Sequence, residues 1–162
     1  LGRAYYDSGN LDAAQRMFEE GAQFPGMLGE SYSNLGAIAL KRGKTKEALW
    51  FLGRAAKRRP NKASVRYNHA LALRALDRNA DALNELRAAQ IADPNDAGVR
   101  FLTGVVALRL GLLREAEEAF REALRLDPQS EDARHNLALL ENFLRPAGEG
   151  VLTFVEPPAE AR

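Results

Sequence analysis

Residues 97–130 read AGVRFLTGVVALRLGLLREAEEAFREALRLDPQS, and the fold is decided there. Apolar side chains recur at helical spacing on both sides of Gly111, which predicts one helix before that glycine and a second after it. Gly104 and Ala116 put a small residue on each helix, so the two can approach closely. Phe120 lies four residues after Ala116, on the same face of the second helix, and fills the space the small residues create. Gly111 suits the left-handed residue that closes a helix, and Pro128 stops the second one.

The same features return every 34 residues in both directions. Small residues at Gly2, Gly36, Ala70, Gly104 and Ala138 form one column, and Ala14, Ala48, Ala82 and Ala116 form another. Turn residues stand at Gly9, Gly43, Asp77 and Gly111, bulky ones at Phe18, Leu52, Leu86 and Phe120, and prolines at Pro60, Pro94 and Pro128. A period of this length marks an array of helix pairs, each burying its apolar face by stacking on the next. Helices are expected at 1–8, 11–23, 29–42, 45–58, 63–76, 79–92, 97–110, 113–126 and 131–144, with no strand. Asp93-Pro94-Asn95-Asp96 and Asp127-Pro128-Gln129-Ser130 supply capping side chains for the helices that follow them.

Composition narrows the function classes. A formal net charge of +1 over 162 residues provides no chain-wide attraction for nucleic acid or anionic membranes. The chain has no cysteine, which excludes disulfide staples, thiolate nucleophiles and cysteine-ligated metals. Compartment stays open between cytoplasm and periplasm, and the register expects Leu1 to fall inside a helix, so a targeting segment upstream fits the pattern. No stretch approaches the roughly 20 apolar residues of a spanning helix.

The columns of small, Phe or Leu, and Pro residues resemble the tetratricopeptide-repeat family, over residues 1 to about 145. The resemblance implies an all-α fold, a right-handed solenoid of antiparallel helix pairs. Full repeats are expected at 29–62, 63–96 and 97–130, with 1–28 a repeat lacking its first six positions. Residues 131–145 would be a C-terminal capping helix, and 146–162 an extended tail or linker. Within that tail Val151-Leu152-Thr153-Phe154-Val155 is either loose or an anchor that docks on an apolar surface. Two departures stand out: Arg66, Arg100 and Arg134 occupy the position where Tyr32 has the family's aromatic, and Phe24-Pro25-Gly26-Met27 places its proline one residue early.

In this family the first helices of the pairs line a concave groove, and the resemblance places a partner there. Asn34, Asn68 and Asn136 share one register position, where amides can pair with the backbone of an extended peptide or hydrogen-bond locally. Tyr67, Leu71 and Phe101 are the candidate apolar anchors, with Val105 and Leu139 beside them. Lys41, Arg74, Arg109 and His135 border the stripe, and the arginines would pair with carboxylates of an acidic or amphipathic segment. Members that hold the terminal carboxylate of chaperone tails carry Lys and Asn where this chain has Ser33 and Ala37, or Tyr67 and Leu71, so that clamp is absent.

No catalytic, cofactor or metal-binding pattern emerges. His69 falls in a column shared with Leu35 and Leu137, which predicts interior packing, and the glycines are accounted for by turns and helix contacts. Glu115, Glu117 and Glu118 are expected on an exposed, solvated helix face. The leading reading is a non-enzymatic scaffold that binds a partner peptide or helix. Its competitors are a regulatory arm whose own tail or neighbouring domain fills the groove, and an RNA-binding helical repeat, which the balanced charge disfavours.

Overall fold

The computed structural model describes residues 1–144, so the tail at 146–162 lies outside the described residues. Two compact units divide the chain, one from Leu1 to Arg78 and one beginning at Asn79. The first contains α1 (Gly2–Asp7), α2 (Leu11–Gly21), a short 3-10 turn (Pro25–Met27), α3 (Leu28–Lys41), α4 (Thr45–Arg58) and α5 (Ala63–Ala75). The second contains α6 (Asn79–Ala92), α7 (Ala97–Arg109), α8 (Leu113–Leu126) and α9 (Glu131–Leu144). Every expected helix is present within two residues of its bounds, and no strand occurs among the described residues.

The small-against-large rule is visible at three hairpins. A Cβ added to Gly36 would lie 2.4 Å from Leu52 Cγ, one on Gly104 would lie 2.6 Å from Phe120 Cε1, and one on Gly2 would lie 2.9 Å from Phe18 Cε1. Each pair brackets its turn glycine at nearly equal sequence distance, so each chain segment doubles back on itself. In unit 2 this packing builds a core of Val105, Ala107, Ala116, Phe120 and Leu140, with Phe101, Leu108, Leu113, Leu137 and Leu144 against it. Unit 1 gathers Tyr6, Ala14, Ala37 and Ile38 with Tyr5, Leu11 and Phe18, and separately Ala55, Ala56 and Val65 with Tyr32.

The turn column shares one backbone solution. Gly9, Gly43 and Gly111 have φ of 80°, 69° and 72°, and Asp77, where the column departs from glycine, has φ 59°. This left-handed residue lets the next N–H turn back and satisfy a helix-end carbonyl, as Lys44 N–H does to Ala39 O and Leu112 N–H to Ala107 O, both at 2.9 Å. Helix starts are capped as expected in unit 2. Asp96 Oδ1 accepts from the N–H groups of Gly98 and Val99 at 3.0 Å, and Ser130 Oγ accepts from Ala133 N–H at 3.4 Å.

The early proline has a local effect. Pro25 opens a 3-10 turn that runs straight into α3, whose first residue is Leu28, one earlier than the repeat register expects. Within each unit, helices pack mainly against those adjacent in sequence, and α3 also touches α5. Arg42, just past α3, adds a polar tie by donating to Gln15 and Asp12 on α2.

Candidate partner-binding surfaces

On the first-helix side of unit 1, α1, α3 and α5 carry the candidate residues. Lys41 is exposed at the end of α3, and its Nζ sits 4.5 Å from the centre of the Tyr6 ring. Arg3 approaches the same ring at 5.8 Å, so Tyr6 lies near two cations on α1 and α3. Asn34 is half-buried, and its Nδ2 donates to the Glu30 carbonyl at 3.0 Å, the local hydrogen-bonding option for that amide. On α5, Tyr67, Asn68 and Leu71 are enclosed, at 5%, 0% and 1% exposure, whereas Arg74 is half-buried.

Unit 2 repeats the division between enclosed and open positions. Val105 and Asn136 are buried, Phe101 and Leu139 are half-buried, and Arg109 and His135 are exposed. The structure brings Phe101 and Val105 together around one core, with the Phe101 ring 5.7 Å from that of Phe120. The sequence pattern identified the helix face of each residue but not its depth. Asn68 and Asn136 are enclosed, whereas the half-buried and exposed candidates retain access to solvent.

Two expectations about charge are revised. Glu117 is 7% exposed rather than solvated, with ion pairs to Arg114 at 3.0 Å and Arg121 at 2.7 Å. Arg121 also reaches Glu141 on α9 at 2.8 Å, and that hydrogen bond together with Glu117 raises its pKa further above the usual range. The position tolerates a carboxylate because arginines one turn away on each side, at i−3 and i+4, meet it. Glu115 is likewise partly buried and pairs with Arg87 of α6 at 2.9 Å, while Glu118 is exposed as expected.

The second revision concerns distribution. Chain-wide balance hides a run from Lys41 to Arg66 with ten Lys or Arg side chains and one carboxylate, Glu47. A windowed count of charge would have found it. On α4 this run includes Trp50 and Phe51, which form an aromatic group with Tyr32 of α3, ring centroids 5.0–5.9 Å apart. Arg58 and Arg59 also border a hollow of about 350 Å³ beside Pro25, Gly26 and Gly29, where Arg59 pairs with Glu30 at 3.6 Å.

No cluster of metal-ligating side chains occurs among the described residues, and no described helix is long and apolar enough to cross a membrane. Residues 67–131 match the family model described as tetratricopeptide repeat. That stretch of the chain carries tetratricopeptide repeats. Protein FlbA of Caulobacter vibrioides is 29% identical over 131 residues, covering 81% of this chain, which spans only 22% of that relative's length. Among solved tetratricopeptide-repeat folds, MamA residues 41 to the end from Desulfovibrio magneticus RS-1 superposes with a TM-score of 0.77 at 24% identity, covering 86% of this chain and 79% of that one. The first repeat domain of Spaghetti (RPAP3), bound to the HSP90 peptide SRMEEVD, gives a TM-score of 0.68 at 21% identity, covering 70% and 90%.

Proposed function

We propose that this chain is a protein-interaction scaffold that binds a partner polypeptide on the faces of its first helices. The observation that carries the reading is the arrangement of those faces, with enclosed apolar and amide side chains as a fixed floor and open cations at the helix ends. In unit 1 the floor is Tyr67 and Leu71 and the open cation is Lys41. In unit 2 the floor is Val105, Phe101 and Leu139 are half-open, and Arg109 and His135 stand at the surface. A contact that is apolar at its centre and polar at its rim is the usual anatomy of a protein interface.

A repeat domain of the same fold, that of RPAP3, was solved with a peptide bound, which supports the class of ligand. The carboxylate clamp of chaperone-tail binders is absent here, because Ser33 and Ala37 occupy the matching positions, so the partner is of another kind. An acidic or amphipathic segment, extended or helical, fits the cations at the rim, and no enzymatic step is assigned. A photo-crosslinking residue at Arg109 or Lys41, used in native extract, should capture one discrete partner. Phe101→Ala should then weaken its binding about tenfold, the scale of an aromatic interface anchor. Equal capture by wild-type protein and a Phe101→Ala plus Lys41→Glu variant of unchanged helicity would refute the reading.

A further inference from the structure

Outside the first-helix faces, unit 1 carries a surface that the proposed function does not use. Lys46, Trp50, Arg54 and Arg58 follow one another at four-residue steps on α4 and all are exposed, which places them along one stripe. Trp50 is 51% exposed, an unusual position for the largest apolar side chain. It is nonetheless held, by Phe51 at 5.0 Å and Tyr32 at 5.8 Å between ring centroids. Arg54 lies over the Trp50 ring at 4.3 Å, and Arg58 over the Tyr32 ring at 5.4 Å. These contacts fix two guanidinium groups at the surface, so little side-chain freedom is left to lose when an anion arrives.

We infer that the α4 stripe is a second docking surface, for an acidic segment of a partner protein that also carries an apolar side chain. Carboxylates of that segment pair with Arg54 and Arg58, and its apolar side chain packs beside Trp50. Charge complementarity selects the sign, since ten cationic side chains and one carboxylate occupy residues 41–66 of a chain whose net charge is +1. Composition selects protein as the class, because Trp, Tyr and Arg are the residues that dominate the energy of protein interfaces. A membrane fits less well, since burying Trp50 among acyl chains would draw in the guanidinium of Arg54 and bring Glu47 against anionic headgroups. Single-stranded nucleic acid needs open ring faces for its bases, and Arg54 occupies one face of Trp50.

Trp50 is the chain's only tryptophan, so its fluorescence reports on this surface directly. The full chain is titrated with a synthetic Glu-rich peptide containing one Leu, and with a Lys-rich peptide of equal length. The Glu-rich peptide should give a saturable blue shift that weakens as salt rises from about 0.05 to about 0.3 M. In an Arg54→Glu plus Arg58→Glu variant the affinity should fall about tenfold or more. Arg16→Glu, an exposed charge reversal on α2 outside both surfaces, should leave it unchanged, which separates the α4 stripe from a general effect of net charge. The Lys-rich peptide should give no shift. Absence of a response to the Glu-rich peptide, or an equal response in the charge-reversed variant with native far-UV circular dichroism, overturns the inference. Tighter binding to oligo-dT, or to phosphatidylcholine–phosphatidylglycerol vesicles at matched charge, overturns it in favour of nucleic acid or membrane. A shift on raising protein concentration alone overturns it in favour of a second copy of the chain.

Discussion

Adding a single methyl group to Gly36 tests the small-against-large packing at its tightest point. The new Cβ would lie 2.4 Å from Leu52 Cγ and 2.8 Å from Leu52 Cδ2, against the roughly 3.5–4.0 Å at which carbon atoms rest. Leu52 is fully buried, so it has no free space to turn into and the helices must part. Overpacking costs about 1–3 kcal/mol, and a contact this short belongs in the upper half, about 2–3 kcal/mol; alanine's better helix propensity returns about 1 kcal/mol, leaving Gly36→Ala destabilised by about 1–2 kcal/mol. Gly53→Ala is the matched control. Its nearest neighbour would be His69 Nε2 at 3.5 Å, an ordinary contact, so only the propensity acts and stability should rise by about 0.5–1 kcal/mol. Urea denaturation followed by far-UV circular dichroism measures both. Opposite signs for the two glycines support the packing rule, and a neutral or stabilising Gly36→Ala refutes it. A Gly36→Ala plus Leu52→Ala variant should also cost less than the sum of its parts, since the methyl group enters the space the leucine leaves.

Two further outcomes follow from individual contacts. Asp96→Ala removes the carboxylate that accepts from the N–H groups of Gly98 and Val99 and should lower stability by about 1 kcal/mol in the same denaturation assay. Glu122 accepts from Arg125 at 2.7 and 2.9 Å, and this hydrogen bond, with the charges of Arg125 and Arg100, holds its carboxyl below the usual range. The interaction is therefore present above the ordinary carboxylate pKa and is lost as pH falls through the depressed one. An NMR titration should show Glu122 protonating at lower pH than in an Arg125→Ala variant, and coincident curves would remove that pairing.

The helices were legible because their punctuation is local. Gly9, Gly43 and Gly111 end first helices by a backbone conformation that their own residue type permits, and even Asp77 keeps it. The columns identified contacting partners as well, since Gly36 with Leu52 and Gly104 with Phe120 can be paired from spacing alone. Depth was less accessible. Asn34 and Asn68 share a register position, yet one is half-buried and bonds its own helix while the other is fully enclosed, because enclosure depends on what packs over each helix. Glu117 was misplaced for the same reason, its burial being made tolerable by Arg114 and Arg121 on neighbouring turns. The α4 surface was missed because a net charge averages over distance, and a count of +1 says nothing about Lys41 to Arg66.

Because helices within each unit touch mainly their sequence neighbours, spatial order follows the order of synthesis. On a ribosome, α3 finds its chief partner when α4 emerges, without waiting for a remote stretch of chain. Such short loops close at little entropic cost, which favours rapid acquisition of structure from whichever hairpin forms first. By the same logic one hairpin can open while its neighbours stay folded, so amide exchange should differ from hairpin to hairpin.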